Sequence, residues 1–495
     1  MQTTSTVEAL VARVLCGAAR TSVAVATWLA LLAWTRPLAL PDEGRHADIA
    51  RWMAESGDWL VPRIDGLPFL HKPPLYFWLE AATIKVLGIT PFVGRIVPLV
   101  SGVAICACVF ALVRRFHDDR AALWSVAILI FSPLLYGGSQ FANLDMLVAA
   151  LITATLTFAA LAVHAPGSRW LWLAAYVAAA FGVLAKGLIA VALPGLVFFI
   201  WALASRRPDW LLRATSPMGL AAFLIIVLPW FIAVEQQFPG FAWHFFGYHH
   251  FDRYLHAGFN NPRGPWFYPV VVLVGLLPWT IGPLLHWRRA LAMPTEHPSV
   301  KLLAVIWFVV VLVFFSVPRS KLIGYVFPLL PAFAIIVGPW FATHRHRLAT
   351  AAVGATLCVG ALLVAAHVAP TGPIGIAAKY KTSIAPDDHV VFLEGYMFDV
   401  AVTLDRRKAI YVTGDWSRRS VELPDDTRRQ FTEGREFDPK AGSVLISREA
   451  LHPLLMQSKP VWIWAEKAAL TRYPELGELA IVATQGRFVL LRGGG

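Results

Sequence analysis

Hydrophobic runs separated by short basic loops fill the chain from residue 21 to residue 369, and the remaining residues follow a different rhythm. A helix needs about 20 apolar residues to cross a bilayer. By that measure the runs near 21–40, 94–113, 121–138, 144–163, 170–185, 187–204, 215–234, 266–286, 302–317, 322–342 and 348–369 predict eleven spans. Leu75–Leu87 is apolar too, but it is short and carries Glu80 and Lys85, so it reads as a helix lying in the interface. The first long polar stretch, LPDEGRHADIARWMAESGDWLVPRIDGLPFLHKPPLYFWLEAATIK, runs from Leu40 to Lys85, between the first two spans. From Thr371 onward, DDHVVFLEGYMFDVAVTLDRRKAIYVTG reads strand, amphipathic helix, strand, and KPVWIWAEKAALTRYPELGELAIVATQGRFVLLR repeats that rhythm. The pattern predicts an all-α polytopic membrane domain over residues 1–369, with interfacial helices in a first external loop at 40–90. A small α/β domain follows over 370–495.

Composition sharpens this picture. Only 15% of the chain is charged and 57% is hydrophobic, whereas soluble domains carry about 25% charged residues. Twenty Trp and 31 Phe fit a chain that meets the water–lipid boundary many times. The formal charge of +12 is uneven: residues 1–369 hold 26 Lys/Arg against 15 Asp/Glu, and residues 370–495 hold 17 against 16. With eleven spans and the N-terminus inside, the loops at Arg114–Arg120, His164–Arg169, Arg206–Arg213, His286–Lys301 and His344–Arg347 are cytoplasmic. Together with the N-terminal tail they hold 14 Lys/Arg. That accounts for the basic balance without nucleic acid and leaves membrane lipids as a partner. Promoting Leu75–Leu87 to a span would put the basic Arg114–Arg120 loop outside, which supports the interfacial reading. Arg13 and Arg20 precede the first apolar run with no clear small-residue cleavage site, so an uncleaved span is expected there. Cys16, Cys106, Cys108 and Cys358 predict neither a disulfide framework nor a zinc site. There is no P-loop, no G-x-G-x-x-G in a strand–helix context and no H-E-x-x-H.

The same topology puts Asp42, Lys72, Asp145, Lys186, Arg253, Arg319 and Lys321 on the external side. Isolated ionisable groups beside a bilayer are costly and usually functional. A carboxylate such as Asp42 can serve as a general base, and Glu43, one residue on, faces elsewhere on a helix. The competing reading makes Asp42 the cap of the helix that follows Pro41. Lys72 is presented from a turn stiffened by Pro73 and Pro74, where it can hold a phosphate as a point charge or anchor in head groups. Arg253, in a loop that also carries His249, His250 and His256, can clamp a phosphate with two donors. Those His spacings match no recognised metal set. Lys321 and Tyr325 are four apart, on one face if helical. Lys186 stands at a helix junction in LAKGLIAVALPG.

The Pro41-to-Trp78 stretch resembles the first external loop of the membrane-embedded GT-C glycosyltransferases. Within them it is most similar to the enzymes that move 4-amino-4-deoxy-L-arabinose from undecaprenyl phosphate to lipid A. These fall in the same superfamily as the dolichyl-phosphate-mannose protein mannosyltransferases. The likeness continues through NLDMLV, LAKG, PWFYPVVVLVGLLPW and SKLIGYVFPLLP, over roughly residues 25–340. It implies Asp42 as principal catalytic acid and Asp145 as the second. It also implies Lys72, Arg253 and Tyr325 around the donor phosphate, with Lys186 and Lys321 in neighbouring motifs. Glu43, Arg51, His71 and His250 are candidates for acceptor or sugar contacts. His71 stands where the lipid A enzymes commonly carry Glu, which leaves a divalent cation open and assigns no metal ligand.

The function expected on these grounds is transfer of a sugar from a polyprenyl phosphate to a hydroxyl or phosphate on an envelope glycolipid such as lipid A. Inversion is expected, with Asp42 as base, at the periplasmic face of a bacterial inner membrane. A protein or polysaccharide O-glycosyltransferase of the same fold is the alternative within the class. A transporter or flippase of lipid-linked sugars is the alternative outside it, and that would favour paired charges deep in the spans and repeated halves, neither of which is visible.

Overall fold

The structure is a computed structural model that describes residues 17, 19–165, 167–252, 261–288, 297–368 and 371–494, with backbone only for 248–252. Among the described residues, six helices are long and apolar enough to cross a membrane: Val93–Phe116, Leu144–His164, Pro217–Gln237, Pro298–Ser316, Ile323–Thr343 and Arg347–Val368. The chain is a multi-pass membrane protein. The other expected spans take different forms. The run at 121–138 is a pair of helices, Asp119–Ile130 and Pro133–Ser139, bent by 67°. Pro133 supplies no N–H to continue the first helix. The run at 266–286 is two short helices, Phe267–Gly275 and Ile281–Leu285, interrupted around Pro278. Ile189–Ala204 is apolar but short, Arg169–Lys186 has 18 residues, and the first run is helical only at 19–30 before it turns.

Residues 40–90 fold tightly against the bundle. Helix α1 (Asp42–Ser56) starts after Pro41 with two acids in its first turn and ends at Gly57, whose φ of 74° suits a residue without Cβ. A two-residue hairpin, β1 (Arg63–Ile64) with β2 (Leu67–Pro68), leads to the Lys72 turn. Helix α2 (Leu75–Leu87) begins directly after Pro73-Pro74. It buries Tyr76, Phe77, Ala81 and Ile84 against the rest of the protein. Two further helices position the site: α3 (Leu144–His164), capped by the Asn143 side chain, and α4 (Arg169–Lys186).

The C-terminal part forms a six-stranded sheet in the order β5-β4-β3-β6-β8-β7, where β3 is His389–Leu393, β4 Tyr411–Thr413, β5 Leu445–Ile446, β6 Val461–Glu466, β7 Ala480–Gln485 and β8 Phe488–Gly493. Strands β5, β4, β3 and β6 run parallel, and the β7–β8 hairpin adds antiparallel to β6. Both faces of β3 and β6 are buried, hence their continuous apolar runs. Helix α5 (Thr427–Phe437) packs against the Leu67–Pro68 strand of the hairpin.

Candidate active site

Asp42 and Glu43 are adjacent in sequence and have opposite surroundings. Glu43 is fully buried. It accepts from Arg95 (2.8 and 3.0 Å), from Arg36, and from the backbone N–H of Ala39 and Ala142 (2.8 Å each). Burial opposes its ionisation, but Arg95 and Arg36 outweigh that and lower its pKa. Glu43 therefore ties the turn before α1 to the turn before α3, and it does not face an opening. Asp42 is half exposed; its Oδ1 accepts from Arg45, one turn along, at 2.5 Å. It makes no capping bond to α1, so the capping reading does not describe it.

Asp42 and Asp145 both act on His46. His46, one turn on from Asp42 on the same face of α1, is buried and donates from Nδ1 to Ala142 O (3.1 Å). Its ring packs on Tyr76 and Phe77 of α2 at 5.3 and 6.0 Å. Burial, with Arg45 alongside, lowers the His46 pKa to about 4, against the opposing pull of both Asp42 and Asp145. One imidazole thus lies within electrostatic reach of both aspartates. Asp145, in the first turn of α3, is not the cap; Asn143 is. The Asp145 carboxylate pairs with Lys186 at the end of α4, each side chain 18% exposed. The Lys186 ammonium lies 4.2 Å from the Tyr325 ring centre. Gly324 permits this packing: a Cβ there would stand 2.3 Å from Asp145 Oδ2.

Lys72 is half buried at the N-terminal end of α2, the helix whose first turn carries Tyr76 and Phe77 against His46. Lys321 is buried and bonds Pro318 O, with its ammonium 5.9 Å from the Tyr268 ring. Residues 261–263 and 319–321 are bridged by Arg263 N to Arg319 O (2.9 Å) and Lys321 N to Asn261 O (3.1 Å). Residues of this clip line a cavity of about 820 Å³, where Arg263, Arg319 and Lys321 share the walls with Pro265, Leu312, Val313 and Val317. Leu322–Tyr325 lead from there to the ring beside Lys186. Arg253 and the side chain of His250 lie outside the described residues.

Two other candidates face the C-terminal domain instead. Arg51 is buried, bonded to Asp48 (2.7 and 3.1 Å), Glu55 (3.2 Å) and the backbone O of Arg406 (2.6 Å), while Tyr396 donates to Asp48 at 3.1 Å. His71 is buried and pairs with Glu433 of α5. Sequence reasoning did not single out His46, although its spacing from Asp42 was a usable signal. Nor did it single out Glu433, which no local pattern could connect to His71. Among the described residues no three His, Cys, Asp or Glu side chains converge as metal ligands would.

Similarity to known proteins follows the same lines. Residues 71–232 match the family described as dolichyl-phosphate-mannose-protein mannosyltransferase. The undecaprenyl phosphate-alpha-4-amino-4-deoxy-L-arabinose arabinosyl transferase of Edwardsiella ictaluri is 30% identical over 311 residues, covering 61% of this chain and 55% of the relative. The enzyme of that name from Pseudomonas savastanoi pv. phaseolicola is 29% identical over 329 residues, 64% of this chain and 60% of the relative. The chain thus spans somewhat over half the length of the curated relatives it matches. Two crystal structures of ArnT from Cupriavidus metallidurans superpose along nearly the whole chain. The form bound to undecaprenyl phosphate has TM-score 0.82 and 23% identity over 96% of this chain and 97% of that one. The apo form has TM-score 0.81 and 24% identity over 97% and 98%. This chain has the GT-C fold of these membrane glycosyltransferases, joined to a small C-terminal sheet domain.

Proposed function

We propose that the chain transfers a sugar from undecaprenyl phosphate to an envelope glycolipid, with a 4-amino-4-deoxy-arabinose as the sugar and lipid A as the acceptor. It works in the bacterial inner membrane with its site and C-terminal domain on the periplasmic side. The 14 basic residues in the opposite loops support that orientation. The observation that carries the reading is the partly exposed Asp145–Lys186 pair against the Tyr325 ring, with Asp42 and Asp145 both within electrostatic reach of the buried His46.

In the reaction the bond between the anomeric carbon and the phosphate oxygen breaks, and its electron pair goes to the phosphate. The growing charge is met by Lys72 and Lys186, with the Tyr325 ring beside Lys186, and the family resemblance assigns Arg253 and Lys321 to the same task. The acceptor oxygen forms the new bond from the opposite face, so the anomeric configuration inverts. A hydroxyl acceptor gives its proton to Asp42; a phosphate acceptor, already ionised, is oriented by the residues around it. Arg45 fixes Asp42 through Oδ1 and leaves Oδ2 for the acceptor. The apolar cavity beside the Arg263–Arg319 clip takes lipid chain.

Purified chain, radiolabelled undecaprenyl-phosphate aminoarabinose and lipid A provide the test. Label should move to lipid A, and Asp42→Asn should cut the rate by about 10²–10⁴-fold while undecaprenyl phosphate still binds. Undiminished transfer by Asp42→Asn removes the assignment of the base. Absence of transfer by the unmodified chain to any lipid, protein or polysaccharide acceptor removes the reading itself.

A further inference from the structure

Lys72 has almost no slack relative to His71, because Pro73 and Pro74 fix the backbone just beyond it. Whatever holds His71 therefore holds Lys72. His71 stacks on Phe69 of its own loop, with ring centres 4.9 Å apart and planes 8° from parallel. Its Nε2 pairs with Glu433, which also accepts from Arg429 at 3.0 Å, one turn back on α5. His244, in the widened π turn Trp243–Asp252, meets His71 edge-on at 6.2 Å and lies 3.8 Å from the same Glu433 oxygen. His244 also packs on Phe437, a further turn along α5, at 5.1 Å.

Helix α5 is wedged between these two loops. A Cβ at Gly434 would come within 2.9 Å of Leu67 Cβ and Pro68 O, so only glycine allows the helix to lie this close to the hairpin. Past the end of α5, Asp438 reaches Arg63 at 3.4 Å. Burial opposes ionisation of Glu433, but His71, His244 and Arg429 hold it at about 2, charged at any working pH.

We propose that Glu433 is a positioning residue through which the C-terminal domain sets the placement of the Lys72 turn relative to the Trp243–Asp252 turn. This rests on the reading of Lys72 as a donor-phosphate ligand. The domain acts on donor binding at a distance, and Glu433 touches neither sugar nor phosphate.

The test uses the purified full-length chain, with undecaprenyl phosphate binding and backbone hydrogen exchange as readouts. Glu433→Gln removes the charge but keeps an acceptor. Undecaprenyl phosphate affinity and the donor KM should each worsen on the order of tenfold, with a smaller change in kcat. Exchange should rise at residues 69–72 and 241–247, while the strands of the C-terminal sheet stay protected. Glu433→Asp should recover part of the affinity, and it provides the measurement if Glu433→Gln does not accumulate as folded protein. His71→Gln combined with Glu433→Gln should be no weaker than the worse single variant. Arg448→Ala, at an exposed ion pair elsewhere on the domain, should behave as the unmodified chain. If the unmodified chain binds undecaprenyl phosphate and Glu433→Gln binds it equally well, the positioning role is overturned. Loosening of the C-terminal sheet alone overturns it too. If the unmodified chain does not bind undecaprenyl phosphate, the donor reading fails and takes this proposal with it.

Discussion

Two carboxylate–cation clusters flank residues 142–145, and they differ in how fully the carboxylate is satisfied. Glu43 receives two arginines and two backbone N–H groups in a fully buried cage. Asp145 receives Lys186, and both side chains keep some exposure beside an aromatic ring. A saturated carboxylate has no lone pair left for a substrate, and its role is to hold chain segments together. A partly open one, with a cation that can be drawn to an arriving phosphate, is suited to chemistry. The same contrast separates the neighbouring acids Asp42, half exposed, and Glu43, fully buried.

The sharpest way to break this contrast is to neutralise the closed cluster. Glu43→Gln leaves Arg36 and Arg95 buried with their shared counter-charge removed. Breaking a buried pair in this way costs roughly 3–5 kcal/mol. The expected outcome is poor accumulation in membranes and a large drop in thermal unfolding temperature in detergent, whereas Asp42→Asn unfolds like the parent. If Glu43→Gln is as stable as the parent and only transfer is lost, the two acids have been given each other's roles.

His46, between the two aspartates, gives a smaller and pH-dependent effect. Unfolded, its imidazole takes up a proton near 6.5; folded, only near 4. Between those values the unfolded state binds the extra proton, so stability falls as pH drops from about 6.5 to 4 and is unaffected by this group above that window. The full effect is at most about 3 kcal/mol. Unfolding measured across pH 4–8 should show an acid limb that flattens in His46→Gln. An unchanged limb would mean that His46 is protonated in the folded state, beside an ionised Asp42.

How much of this was legible in advance depends on how far apart the partners lie in sequence. The apolar runs revealed a membrane bundle, and Pro133 and Pro278 marked in plain sight where two of those runs break. Asp42, Lys72, Asp145, Lys186 and Tyr325 could be singled out because each is an ionisable or aromatic group at the end of an apolar run. The fate of Glu43 was not legible: its arginines are 7 and 52 residues away, and nothing local marks them as partners. The same holds for His71 and Arg51, whose contacts reach into the C-terminal domain at Glu433 and Arg406. A polar loop looks catalytic along its whole length when read alone. Tertiary packing divides it into a side that is sealed by neighbours and a side that is left open.

The open cluster can be probed without touching a charge. Gly324 begins the turn that carries Tyr325, and a methyl group there would lie 2.3 Å from Asp145 Oδ2 and 2.8 Å from its Cγ. The carboxylate can yield only by turning away, which pulls it from Lys186 and shifts the ammonium from the Tyr325 ring. Gly324→Ala should therefore lower kcat/KM by about tenfold, a misplacement effect of order 1.4 kcal/mol, with little loss of stability because the site is partly open. Asp145→Ala removes the atoms that clash, so the double variant should be no worse than Asp145→Ala alone, and the cycle measured on kcat/KM should be strongly non-additive. Additive losses would place the effect of Gly324 in the turn itself and leave the Asp145–Lys186 geometry without a part in the reaction.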